Sequence, residues 1–142
     1  MFKKIMVCLD GSRTAEEVLP YVIGQANRFG SKIILASEFE SFNGHSKVGT
    51  HEAGPKFSNV DALRTYLERA ANSLRCKLLD VETIIIPAME GSPSTALLRY
   101  ADENGVDAIA LTSRGLGGIE NRTIGRFAGH IIESSEKQIL MS

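Results

Sequence analysis

Five short stretches of the chain are apolar without polar alternation. They are Lys4-Ile5-Met6-Val7-Cys8-Leu9, Ile33-Ile34-Leu35-Ala36-Ser37, Val81-Glu82-Thr83-Ile84-Ile85-Ile86, Ala108-Ile109-Ala110-Leu111 and Gln138-Ile139-Leu140-Met141. Such runs are typical of parallel strands buried on both faces of a sheet. The segments between them carry a helical period. Ala15, Val18, Val22, Ala26 and Phe29 share one face, with Thr14 and Glu17 spaced as a capping box and Gly30 placed for a left-handed stop. Pro20 lacks an amide hydrogen and predicts a bend in the early turns. Val60, Leu63, Leu67, Ala70 and Leu74 form a second helical stripe, with Ser58 as its cap and Arg64, Glu68, Arg69, Arg75 and Lys77 as a solvated flank. Ser92-Pro93 is a strong start for a third helix, which Asn104-Gly105 ends. Ile124, Phe127, Ala128, Ile131 and Ile132 predict a fourth.

Strand and helix therefore alternate from end to end, which predicts an α/β fold: a doubly wound parallel sheet with helices on both faces and right-handed crossovers. At 142 residues, with no linker, repeat or low-complexity tract, residues 1–142 are expected to form one domain. Residues 38–57, rich in Gly, Ser and His and without a period, are expected to be a long loop. His45, His51 and Glu52 lie in it, in no zinc-like spacing, and are taken as solvated.

Charge narrows the possible partners. With 16 basic and 17 acidic residues the net charge is −1, so no basic field is available for a nucleic-acid backbone. No apolar run nears the roughly 20 residues needed to span a bilayer. The start, Met1-Phe2-Lys3-Lys4, leads straight into a strand without a signal-peptide pattern, so a cytoplasmic location is expected. Cys8 and Cys76 are read as a reduced core thiol and a helix thiol.

In open parallel sheets ligands bind beyond the carboxyl ends of the strands, where strand order reverses. Two polar features fall at strand ends: Asp10-Gly11-Ser12, and the Gly-rich segment from Thr112 to Arg126. Asp10 has two readings, a ligand for a ribose, an adenine donor or a metal, or a group that caps the first helix and closes the turn with Ser12. The second segment has the make-up of a phosphate cradle. Gly115 and Gly125 let amides approach an anion, Gly125 stands where the fourth helix begins, and Arg114, Arg122 and Arg126 surround it. It is neither a P-loop nor a dinucleotide fingerprint, and a surface loop with ordinary glycine turns is the other reading. No nucleophile–base–acid spacing is present, and the carboxylates at strand ends are Asp10 and Glu38. His130 is read as a packing or surface residue of the fourth helix.

Taken together, three pieces resemble the universal stress protein family over essentially the whole chain. They are the opening strand with its Asp10-Gly11-Ser12 turn, Glu90-Gly91-Ser92-Pro93 before the third helix, and Asp107 to Leu111 leading into the Gly-rich segment. The resemblance implies a five-stranded, Rossmann-like parallel sheet in the order 3-2-1-4-5. It also implies an adenine nucleotide, ATP or AMP with or without Mg2+, at the ends of strands one and four. The family motif is Gly, two residues, Gly, nine residues, then Gly and Ser or Thr. In this chain Thr112 stands at its first position, Gly115 at its second, Gly125 at its third and Arg126 at its hydroxyl position. An arginine there can pair with phosphate bidentately. The implied nucleotide contacts are Leu9, Asp10, Ser37, Thr112, Arg114, Gly115, Gly125, Arg126 and Phe127. Also implied are a homodimer and a regulatory role without strong catalysis, a weak ATPase aside. The alternative is a dimeric interaction module of the same fold without nucleotide, motivated by Thr112 and Arg126.

Overall fold

A computed structural model of the chain describes residues 2–42, 45–48, 59–87, 93–112 and 138–141. The elements are β1 (Lys4–Cys8), α1 (Arg13–Glu16), α2 (Leu19–Phe29), β2 (Lys32–Phe42), β3 (His45–Val48), α3 (Val60–Arg75), β4 (Val81–Pro87), α4 (Pro93–Glu103), β5 (Ala108–Leu111) and β6 (Gln138–Met141). The parallel strands lie in the spatial order β4-β2-β1-β5-β6. Numbered among themselves they run 3-2-1-4-5, as the resemblance implied.

Alternation along β1 divides the core into two layers. Ile5, Val7 and Leu9 pack with Val22 and Ala26 of α2 and with Leu63, Leu67 and Leu74 of α3. Met6 and Cys8 pack on the other face with Ala96, Leu97 and Ala101 of α4. The first two crossovers thus cover one face and the return crossover the other, and the winding reverses beside β1. A carboxylate fixes the central register: Asp107 Oδ2 accepts the amides of Lys3 (2.8 Å) and Lys4 (2.9 Å), and the Asp107 amide returns to the Lys4 carbonyl at 2.9 Å. At the edge, the Arg75 guanidinium donates from Nε and NH2 to the Val81 carbonyl (3.2 and 2.9 Å) and from NH1 to Glu68 (3.0 Å). This ties α3 to the strand it covers and occupies one carbonyl of an edge strand.

Several local expectations are corrected. The first helix is two helices: α1 ends at Glu16 and α2 starts afresh at Leu19 with Pro20 in its first turn, where a missing amide hydrogen costs nothing. Its cap is not Thr14, because the Ser12 hydroxyl oxygen accepts the Ala15 amide at 3.0 Å. Gly30 does end α2 in the left-handed region, at φ 66°. The cap of α3 is Asn59, whose side chain accepts the Ala62 amide at 2.8 Å, rather than Ser58, which lies outside the described residues. The expected loop over 38–57 is strand at its beginning. β2 runs on to Phe42, and β3 returns antiparallel to it, pairing Phe42 with His45, Glu40 with Lys47 and Phe39 with Val48. The two residues between these strands are Asn43-Gly44, the dipeptide that two-residue hairpin turns favour. The fourth helix, with His130, lies outside the described residues.

Two stability predictions follow from this packing. Leu67 is fully buried between α3 and the sheet, so Leu67→Ala is expected to cost about 2–5 kcal/mol in urea unfolding. Leu78 is 97% exposed and held at φ 63°, where a β-carbon is strained. Leu78→Gly is expected to stabilise by about 0.5–1 kcal/mol, the relief of strain less the added entropy of an unfolded glycine.

Candidate functional site

The crevice beyond β1 collects the polar residues of three strand ends. β1 pairs with β2 through Cys8 and Ala36, and the Leu9 amide continues the ladder to the Ala36 carbonyl at 2.9 Å. One step further sets Leu9 beside Ser37, whose hydroxyl donates to the Leu9 carbonyl. On the other side Val7 pairs with Ala110, so two steps further Leu9 is set beside Thr112. Ser37, Leu9 and Thr112 therefore lie in a row across the sheet, with Asp10 leaving the sheet from the middle lane. Of the residues the resemblance implied, these four are brought together. Arg114, Gly115, Gly125, Arg126 and Phe127 lie outside the described residues, as do His51 and Glu52. Among the described residues no group of three or more His, Cys, Asp or Glu could hold a metal ion.

Local chemistry fixes the turn after β1. Asp10 Oδ1 accepts both the amide (2.9 Å) and the hydroxyl (2.6 Å) of Ser12. Ser12 in turn caps α1, so one carboxylate oxygen anchors strand, turn and helix start. Between them Gly11 sits at φ 90°, a conformation that side chains disfavour. The turn-closing reading of Asp10 is thus realised.

The surroundings are acidic. Glu38 follows Ser37 on β2 and is buried on the α4 side with Cys8. Burial, and then the charges of Glu38 and Asp10, push the Cys8 thiol well above its ordinary range. On the other face Tyr66 of α3 reaches the Asp10 turn. Its hydroxyl is pushed up by burial and by the charges of Glu16 and Asp10, with hydrogen bonding to Glu16 in the same direction and to the Gly11 backbone against it. Tyr66 was not singled out in the sequence, because it sits one position off the apolar stripe of its helix and looks like flank. An ionised carboxylate accepts and never donates. Asp10 therefore suits hydroxyl or amino groups of a ligand, and a phosphate is repelled from this end of the crevice. At pH 8 the buried, thiol-form Cys8 is expected to resist iodoacetamide while exposed Cys76 reacts. Mass spectrometry should find one adduct per native chain and two after denaturation in urea.

A crevice at the winding reversal, with an acceptor carboxylate on the turn after β1, can be compared with known proteins. A family model for the universal stress protein family matches residues 1–142. A Thermus aquaticus protein named "universal stress protein in QAH/OAS sulfhydrylase 3′region" is 24% identical over 145 residues, which is 99% of this chain and 98% of that one. Among solved structures, a universal stress protein in complex with cAMP superposes with a TM-score of 0.71 at 19% identity, covering 99% of this chain and 96% of the other. The universal stress protein from Archaeoglobus fulgidus in complex with dAMP gives 0.69 at 19% identity, covering 97% and 95%. At these identities the structures establish the fold, and the whole-length family match establishes the kinship: the chain belongs to the universal stress protein family.

Proposed function

We propose that this chain binds an adenine nucleotide of the AMP type in the crevice beyond β1 and β5, and that it acts as a regulatory stress protein rather than an enzyme. The observation that carries this reading is Asp10, an acceptor carboxylate fixed on the turn after β1 at the reversal of the winding. Fold relatives crystallised with cAMP and dAMP support the same ligand class. In this assignment Asp10 accepts from ribose hydroxyls, Leu9 and Ser37 line the base end, and Thr112 leads into the phosphate end. Gly115, Gly125 and Phe127 complete the phosphate end, where Arg114 and Arg126 offset the anionic charge. The AMP type is favoured over ATP with Mg2+ by the cAMP and dAMP held by the fold relatives.

Two further properties belong to the reading. No described residue offers an activated nucleophile or a base positioned by a partner, so phosphate release above background is not expected. β6 pairs with β5 on one side only among the described residues, which leaves an edge suited to pairing with a second copy. A cytoplasmic homodimer results. The alternative, an interaction module of the same fold without nucleotide, is favoured by Thr112 and Arg126 at two motif positions.

AMP at ten times its Kd is expected to stabilise the protein by about 1.4 kcal/mol, a shift of roughly 5 °C at this size. Asp10→Asn should weaken binding at least tenfold in calorimetry. A protein that shows no thermal shift with millimolar AMP or ATP supports the interaction module instead. Light scattering should give the mass of a dimer, and a monomer at high concentration contradicts the edge pairing.

A further inference from the structure

β4 is an edge strand: among the described residues it pairs with β2 alone. Its ladder shows which backbone groups face outward. Ile33 pairs with Val81, and the Ile33 amide donates to the Asp80 carbonyl at 2.9 Å. Successive residues of a strand turn their backbone groups to opposite edges, so Asp80, Glu82, Ile84 and Ile86 serve β2. Val81, Thr83, Ile85 and Pro87 turn theirs away from the sheet. A row of outward amides and carbonyls is a template for a further strand. The segment Thr83-Ile84-Ile85-Ile86 is also β-branched and uncharged, the character of sequences that pair with copies of themselves.

Both ends of that row are closed by the chain itself. At one end Arg75, the last residue of α3, brings Nε and NH2 to the outward carbonyl of Val81, at 3.2 and 2.9 Å. Its NH1 donates to Glu68 Oε2 and to Asn72 Oδ1, at 3.0 Å each. The other oxygen of Glu68 accepts the Thr83 hydroxyl at 2.7 Å. The guanidinium is thus held against the edge from two positions of the helix. At the other end Pro87 has no amide to offer. What stays open between them is Thr83 to Ile85, a run of roughly 7 Å at about 3.3 Å per residue. Strands are most often about five or six residues long, so this run is too short to hold one. Without Arg75 it lengthens to Val81–Ile85, the span of an ordinary strand. We propose that Arg75 is a guard on the β4 edge: held by Glu68 and Asn72, it denies that edge to the same strand of a second copy of this chain. The proposal concerns the edge opposite β6 and does not rest on the nucleotide reading.

Substitution of the guard tests this. The Arg75 and Glu68 side chains are 39% and 42% exposed, and an ion pair so placed adds little to folding stability. Arg75→Met removes every donor and keeps the aliphatic stem, whereas Arg75→Ala removes both. Each full-length protein is examined by light scattering over a range of concentrations, with thermal melting as the check on folding. Both variants are expected to reach at least twice the mass of the unaltered protein at the same concentration. The amides of Val81, Thr83 and Ile85 should exchange at least tenfold more slowly as that mass rises. Adding Thr83→Pro removes an outward amide and no bond to β2, and should return the mass to that of the unaltered protein. An unchanged mass in both Arg75 variants overturns the guard. So does a raised mass that Thr83→Pro leaves in place, because the new contact then lies elsewhere. If neither variant folds, Arg75 supports the fold itself and the proposal falls as well.

Discussion

Everything in this molecule depends on β1 being apolar on both faces. A strand that buries Ile5 and Val7 on one side and Met6 and Cys8 on the other cannot lie at the surface of a sheet. It needs a strand on each edge and a helix layer over each face. Right-handed crossovers then leave little choice. The connections from β1 to β2 and from β2 to β4 run one way and place α2 and α3 on one face. The return from β4 to β5 must come back across β1 and places α4 on the other. The crevice at the end of β1 is the geometric residue of that reversal. The row of Ser37, Leu9 and Thr112, with Asp10 on the turn after β1, stands there because the main-chain path turns both ways from the same strand.

The site is held by few groups, each with more than one task. Asp10 anchors the turn through Ser12, and Ser12 caps α1, so a change at either alters the other. Burial first, and then the negative charge of Glu38, Asp10 and Glu16 on both sides of the sheet, keeps the thiol of Cys8 and the phenol of Tyr66 protonated. An acidic cluster of this kind favours hydroxyl and amino donors over an anion beside Asp10.

The strands and the fold class were legible in the sequence because unalternated apolar runs have one cheap explanation, burial on both faces. Helix existence was legible for a different reason, apolar stripes recurring every three or four residues, which burial of one face explains. What was misread came from local chemistry with two solutions. Pro20 was taken as an interior defect of one helix, when a proline is also a good first-turn residue of a new one. The Gly-, Ser- and His-rich composition of residues 38–57 predicts a loop, a reading that takes no account of Asn43-Gly44, the dipeptide a two-residue hairpin favours. Ser58 and Asn59 are adjacent and equally able to cap, and only the backbone decides between them. Asp10, Ser37, Leu9 and Thr112 were placed together by family resemblance, with strand-end position supporting Asp10 and Thr112. The bond from Ser37 to the Leu9 carbonyl needed three dimensions.

The Asp107 clamp has a consequence for how the chain is made. It joins the carboxylate of residue 107 to amides 104 and 103 residues earlier. β1 leaves the ribosome ahead of the other strands of its sheet, yet one of its two neighbours is synthesised about a hundred residues later. At roughly 5–20 residues per second that is a wait of about 5–20 seconds with a bare edge on a strand that is apolar on both faces. Contacts so distant along the chain also slow folding once synthesis ends, because loop closure has to precede their reward. The nascent protein is thus most exposed to aggregation just before β5 emerges, and a stress that slows translation lengthens that interval.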